Sequence, residues 1–481
     1  MTHSAPAGHP AASSPGRVPA WLVVLLCFMA FAFQGTRGLW EPDEGRYSAG
    51  GVHMAQDGDW LVPTLDGVTP HLTKPPVTYW ALAASFKLLG YNEWAARLPS
   101  ALAYIGTGLF LFGLGRRLCP RKPWVPSMVW ALSFAPVIAA NVVSTDPLLV
   151  LFETAAMYAF VEAQARDSAA ARKWYLGMWF AWGLAFMTKG PPGLLPLIGM
   201  TVMFAVHDRA RLRALYPLVG VLLFMVVGFG WFAIIVAQQP DRLGYFLGYE
   251  VYDRVFTSAH DRNSQWYGAF EVYLPVLLAG TLPWLAVAIT AAGGPANAWA
   301  SLRKRVRERD PQWLLLAYWL LVPLTVFFLA RSRLQLYVLP LFVPLALMMA
   351  RPLSRWHGLE GRRGKVLIGS TAMALLALKA AVAYWPSNRD ASDLSAQLRE
   401  VLAAHPADEI VFVGMRPFYG LILYLPQQVD GLEIDEQRYD YSTHVTRQQL
   451  CGEIARRTNA VYVMKARYAP GFEQGLRCDG A

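Results

Sequence analysis

Long apolar runs decide what this chain can fold into. A membrane-spanning helix needs about 20 mostly apolar residues. Stretches that qualify are 20–36, 97–118, 124–142, 147–164, 174–188, 191–207, 214–237, 271–293, 312–330, 334–350 and 365–385, eleven in all. Backbone N–H and C=O groups in hydrocarbon must be paired within the segment, so runs this long are expected to be helices. The stretch 76–90 is apolar but short, and is expected to lie at the interface as a helix. Only 16% of the 481 residues are charged, well below the roughly 25% of a soluble domain. The expected class is an all-α polytopic membrane protein with about eleven transmembrane helices.

The net charge of +10 does not describe a nucleic-acid groove. Lys and Arg sit in short clusters between apolar runs, at 116–122, 166–173, 209–213, 303–309 and 351–365. With the N-terminus inside, all of these fall on the cytoplasmic side, as the bias of basic residues toward inner loops requires. Residues 1–19, rich in Ala, Ser and Pro, are expected to form a disordered cytoplasmic tail. The span at 20–36 is expected to be retained, because no small-residue cleavage site follows it. The odd count of spans puts the C-terminus outside.

Residues 386–481 differ from the rest. An amphipathic stretch at 391–404, a strand pattern at 409–413, a helix at 446–457 and a second strand at 460–464 predict a small outer α/β domain. Residues 20–385 are then the transmembrane domain. Cys451 and Cys478 both fall in the outer domain, where an oxidising compartment permits a disulfide between them.

On this topology the unusual polar residues gather on one side. The first outer loop, 37–96, carries Asp43, Glu44, Arg46, His71 and Lys74. Asp146 starts a helix after Ser144 and Thr145. Lys189 precedes Gly190 and two prolines. The later loop 238–270 carries Glu250, Asp253, Arg254, His260, Asp261 and Arg262. Arg331, Arg333 and Tyr337 follow. Singly, each suits an interfacial anchor or a helix cap. Together they suit displacement at a sugar carbon that bears a lipid phosphate. Cations stabilise the phosphate as it leaves, and a carboxylate takes the proton of a hydroxyl acceptor. No phosphate-binding glycine loop and no Cys/His zinc spacing occurs.

These motifs resemble a known family. Glu-Pro-Asp-Glu-Gly-Arg-Tyr at 41–47, Gly-Asp-Trp-Leu-Val-Pro at 58–63, Lys-Pro-Pro with Tyr-Trp at 74–80 and Asn-Glu-Trp-Ala-Ala-Arg-Leu-Pro-Ser at 92–100 come first. Thr-Asp-Pro at 145–147, Thr-Lys-Gly-Pro at 188–191 and Leu-Gln-Leu-Tyr-Val-Leu-Pro at 334–340 follow in order. The set resembles the bacterial lipid A aminoarabinose transferases and, more distantly, the protein O-mannosyltransferases, both of the glycosyltransferase-C superfamily. The resemblance implies juxtamembrane helices in the first periplasmic loop. It also implies inverting transfer of a sugar from undecaprenyl or another polyprenyl phosphate to lipid A or another outer-face acceptor. It makes Asp43 catalytic, with Glu44 as its acidic partner and Asp146 as a second acid. It assigns donor-phosphate or cavity positions to Arg46, Lys74, Tyr79, Lys189, Arg331, Arg333 and Tyr337.

Two positions depart from the pattern. Thr73 precedes Lys74 where the family tends to have an acid, and His260 is followed by Asp261 rather than a second histidine. No cofactor is therefore assigned, with a divalent metal at His260 as the open alternative. The expected setting is a monomer in the bacterial inner membrane, with its active site in the periplasm and no nucleic-acid partner. The alternatives are a protein O-glycosyltransferase and, from another class, a lipid-carrier flippase. A flippase would place its polar sites near the bilayer midplane.

Overall fold

A computed structural model describes residues 16–253, 263–435 and 442–466. It opens with eight α-helices: α1 (Ala20–Phe31), α2 (Asp43–Asp57), α3 (Val77–Leu89), α4 (Glu93–Leu118), α5 (Val125–Ala131), α6 (Phe134–Ala139), α7 (Asp146–Gln164) and α8 (Ser168–Lys189). Among the described residues, five helices are long and apolar enough to cross a membrane, or six if one bent pair counts as a single span. The five are α4, Leu218–Gln238, Pro311–Leu329, the continuous Gln335–Arg355 and Arg362–Ala383. The stretch expected at 76–90 is the short helix α3.

The other expected spans are shorter, interrupted or more charged. The run 124–142 divides into α5 and α6 on either side of Leu132 and Ser133. Pro136 sits in the first turn of α6, where a missing N–H costs nothing. The run 271–293 bends by 66° between Gly268–Thr281 and Trp284–Ala291, where Pro283 cannot continue the hydrogen-bond ladder.

The bundle core is aromatic and deep. Trp182, Trp284 and Trp319 are fully buried, and the indole N–H groups of Trp284 and Trp179 donate to the carbonyls of Leu132 (2.8 Å) and Leu215 (3.1 Å). In contrast, Leu222, Val226 and Ile234 on Leu218–Gln238 are exposed, as a lipid-facing surface requires.

The C-terminal region holds a four-stranded parallel sheet in the order β3–β2–β1–β4, formed by β1 (Glu409–Val413), β2 (Gln428–Ile434), β3 (Thr443–Val445) and β4 (Ala460–Met464). The helices Ala391–Ala404 and Arg447–Arg456 accompany it. Arg457 ties β1, β2 and the helix Arg447–Arg456 together by ion pairs to Glu409, Asp430 and Glu453. Cys451 is disulfide-bonded, and its expected partner Cys478 lies outside the described residues.

This region shares a core with the first loop. Leu39, Tyr47, Val52, Tyr79, Leu82 and Phe86 pack with Leu398, Ile410, Phe412, Tyr419 and Leu421 in one apolar cluster. Each such side chain contributes about 1.5–3 kcal/mol on burial. Within the cluster α2 presses closely on α3. A Cβ at Gly50 would stand 2.7 Å from Tyr79, and one at Gly51 2.6 Å from Leu82.

Candidate active site

Helix α2 starts after Pro42 and carries Asp43 and Glu44 in its first turn, where acids complement the helix dipole. A helix turns about 100° per residue, so the two carboxylates take different environments. Glu44 points inward and is 2% exposed. Its oxygens accept from Arg37 Nη1 (2.5 Å) and Nη2 (3.2 Å), from Arg97 Nε (3.0 Å) and Nη2 (3.1 Å), and from the backbone N–H groups of Trp40 (2.9 Å) and Val143 (3.1 Å). Burial alone would raise its pKa. The charges and hydrogen bonds of Arg97 and Arg37 outweigh that and lower it to about 2.

Arg97 also donates to the carbonyls of Gln34 (2.9 Å), Arg37 (2.9 Å) and Gly38 (2.7 Å). One carboxylate thereby joins the loop after α1, the start of α2, helix α4 and the turn before α7.

Asp43 faces the other way. Its side chain is 49% exposed and pairs with Arg46 one turn on. Burial raises the Tyr47 hydroxyl pKa well above its usual range, and the charges of Asp43 and Asp146 add to the rise. Tyr47 therefore lies in the field of both acids, and its ring centroid is 5.9 Å from that of Tyr79.

Lys74 donates to the Thr73 carbonyl (2.8 Å) and approaches Glu250 Oε2 at 3.5 Å. The Tyr245 hydroxyl donates to Glu250 Oε1 at 3.3 Å. His71 is 5% exposed, and its Nε2 lies 2.8 Å from Thr73 Oγ1. Burial lowers the His71 pKa well below the usual histidine range, and the charges of Arg46 and Lys74 push the same way. Burial and both nearby charges thus favour the neutral form of the imidazole. Fully buried Tyr79 stands in the same group. Burial raises its hydroxyl pKa, the Arg46 charge opposes the rise, and Tyr245 and Glu250 add to it.

A second cluster forms where α7 begins and α8 ends. Lys189 Nζ donates to Asp146 Oδ1 at 2.5 Å and sits 4.3 Å from the Tyr337 ring centroid. Arg333 is used differently. It is 3% exposed and donates to the carbonyls of Asn263 (2.6 Å), Gln265 (2.7 Å) and Phe328 (3.2 Å), fixing the loop against the following turn. Arg331 is exposed nearby. His260 lies outside the described residues.

Among the described residues, no group of three or more His, Cys, Asp or Glu side chains is placed to hold a metal, and no chemical step is assigned to one here. A cavity of about 410 Å³ opens beside His53, Gln56 and Asp57 at the far end of α2, roughly 15 Å along the helix from Asp43. It is lined by no Lys or Arg, unlike the clusters at Arg46, Lys74 and Lys189.

Sequence reasoning passed over Arg37, Arg97 and Tyr245 as site-forming residues, and placed Glu250 in its loop without a partner. Arg97 carried a signal, being an arginine near the start of an otherwise apolar span. The approach of Glu250 to Lys74 joins residues 176 positions apart and has no local signature.

Residues 73–232 match the family model described as dolichyl-phosphate-mannose-protein mannosyltransferase. An undecaprenyl phosphate-α-4-amino-4-deoxy-L-arabinose arabinosyl transferase of Edwardsiella ictaluri is 30% identical over 374 residues, covering 75% of this chain and 65% of that protein. A second enzyme of that name, from Sodalis glossinidius, is 33% identical over 340 residues, 68% of this chain and 58% of the other. This chain thus spans less than two thirds of the length of either relative.

The crystal structure of ArnT from Cupriavidus metallidurans bound to undecaprenyl phosphate superposes with a TM-score of 0.77 at 19% identity, covering 94% of both chains. The chain is thus similar over part of its length to the arabinosyl transferases, and it shares the fold of the ArnT crystal structure.

Proposed function

We propose that this protein is an inner-membrane glycosyltransferase. It moves a sugar from undecaprenyl phosphate, or another polyprenyl phosphate, to lipid A or another outer-face glycolipid, inverting the anomeric carbon. The observation that carries this reading is the set of cations held beside acids, with Arg46 paired to half-exposed Asp43, Lys74 approaching Glu250 and Lys189 paired to Asp146. The names of the relatives support the donor and the sugar class. The site faces the periplasm in this reading, with the N-terminus cytoplasmic and the C-terminal domain outside.

In the step, the bond between the sugar C1 and the donor phosphate oxygen breaks as a bond from C1 to the acceptor oxygen forms. The polyprenyl phosphate leaves with the bonding pair. Arg46 and Lys74 stabilise the charge on the leaving oxygen. Lys189, held by Asp146 and stacked on Tyr337, extends the positive surface, and exposed Arg331 is available at its edge. A hydroxyl acceptor gives its proton to Asp43, whereas a phosphate acceptor is already anionic and needs Asp43 only to orient it. Glu44 and Arg333 act as positioning residues, since each is occupied in holding loops together. Tyr79 and Tyr47 form the buried wall behind the two charge clusters.

The match to the mannosyltransferase family model favours a second reading, in which the acceptor is a Ser or Thr of a secreted protein and Asp43 is a general base. Mass spectrometry of lipid extracts and secreted proteins from cells with and without this protein separates the two. The first reading predicts a sugar-sized mass on lipid A or another lipid. Its appearance on protein alone selects the second.

A further inference from the structure

Glu41 opens the Glu41–Tyr47 motif, yet the proposed chemistry makes no use of it. It is 5% exposed, and its Oε1 accepts from the backbone N–H of Gly420 in the C-terminal domain at 2.6 Å. The carboxyl fits between two glycines. A Cβ at Gly45 would fall 1.9 Å from Oε1, and one at Gly420 would fall 2.8 Å from it.

The backbone around Glu41 is strapped to the same domain. Glu41 N donates to Arg389 O (2.9 Å), Ala391 N to Leu39 O (2.9 Å) and Leu39 N to the Tyr424 hydroxyl (3.1 Å). Trp40 and Asp390 form an antiparallel bridge. Asp43 follows two residues later. We propose that Glu41 is a positioning residue, a clasp through which the C-terminal α/β domain sets the placement of the segment that carries Asp43.

The clasp works with the carboxyl protonated. Oε2 is buried with no hydrogen-bond partner among the described residues, so an ionised carboxylate would hold uncompensated charge there. The charged and titratable groups around it are Asp43, Glu44 and Arg46 on its own segment, Arg389 and Asp390 at the strap, and Tyr419 and Tyr424 on the facing turn. Burial raises the Glu41 pKa to about 8. The Gly420 N–H and the Arg46 charge oppose the rise, and Glu44 and Asp43 add to it. The acid form is neutral, and the clasp it makes is complete below the ordinary carboxylate range. It weakens as pH rises through about 8. E41Q keeps a neutral acceptor in the same place at every pH.

The inference rests on the proposed transfer reaction only for what Asp43 does, so its test starts with a readout independent of transfer. Hydrogen exchange of segments 37–41 and 417–424 is compared in the full-length wild type and E41Q at pH 6, 8 and 9, with β1 as the internal reference. The two proteins should match at pH 6. At pH 9 the wild type should exchange about tenfold faster than E41Q, one pH unit above the pKa. Equal exchange at pH 9 overturns the clasp, whatever a transfer assay shows. A difference at pH 9 supports it even if no sugar is transferred. Where transfer is measured, the wild-type rate should fall above pH 8 while E41Q holds its own rate to pH 9. An E41Q rate that falls in parallel with the wild type overturns the positioning role.

Discussion

Asp43 and Glu44 are neighbours in sequence, but they belong to different regions of the molecule. Around Glu44, one carboxylate meets two guanidinium groups and two backbone N–H groups with almost no exposure. Both carboxylate oxygens there are hydrogen-bonded, and the region is framework. Arg46 pairs with a half-exposed carboxylate and Lys74 approaches Glu250, with buried His71 and Tyr79 within the field of Arg46. In the proposed reading, that region is where the anionic donor binds. An acid-rich motif can therefore hold a buried structural carboxylate and a half-exposed one side by side, and only their partners tell them apart.

The contrast can be broken on either side. The largest effect is expected on the framework side. Arg97→Ala leaves Glu44 buried with half of its compensation gone, a loss of about 3–5 kcal/mol. Thermal unfolding of purified protein should show it, and unchanged unfolding would mean that the node does not hold the first loop.

Next comes the cation pair. Lys74→Ala should reduce transfer by about ten- to hundredfold, the worth of one charge-assisted hydrogen bond to the donor, with stability altered far less than in Arg97→Ala. Glu250→Gln should have a smaller effect, several-fold at most, because it orients Lys74 without touching the donor. Parallel assays of the two variants test that order.

The pH dependence sharpens the comparison further. The folded-state pKa of Glu44 is lowered to about 2, so its contribution to stability is complete above the ordinary carboxylate pKa and is lost as pH falls through about 2. That contribution is on the order of 3 kcal/mol. Asp43→Asn should retain the acid-side loss, because it leaves the Glu44 node intact. A variant that lost it would show that the two acids are not separate.

Much of the bundle was legible in the sequence because hydrophobic length and period are local signals. The spans at 97–118, 312–330 and 365–385 fall within helices Glu93–Leu118, Pro311–Leu329 and Arg362–Ala383 to within two residues at the C-terminal ends, and 391–404 is the helix Ala391–Ala404. Less legible was what depends on distant partners. β2 has the sequence Gln-Val-Asp-Gly-Leu-Glu-Ile, and a glycine among polar residues weakens a strand signal. It is a strand because β1 and β3 pair with it.

The site follows the same rule. Residue types and order nominated Asp43, Arg46, Lys74, Asp146 and Lys189. Nothing local showed that Lys189 would meet Asp146 across 43 residues, that Arg333 would be occupied by backbone carbonyls, or that Glu44 would be enclosed by Arg37 and Arg97.

The most direct test of the division between framework and chemistry is Asp43→Asn, purified folded and supplied with a polyprenyl-phosphate sugar and lipid A, with products read by mass spectrometry. The geometry predicts transfer lowered by at least about a hundredfold for a hydroxyl acceptor, with unfolding within about 0.5 kcal/mol of the wild type. Full transfer by this variant would contradict the role given to Asp43.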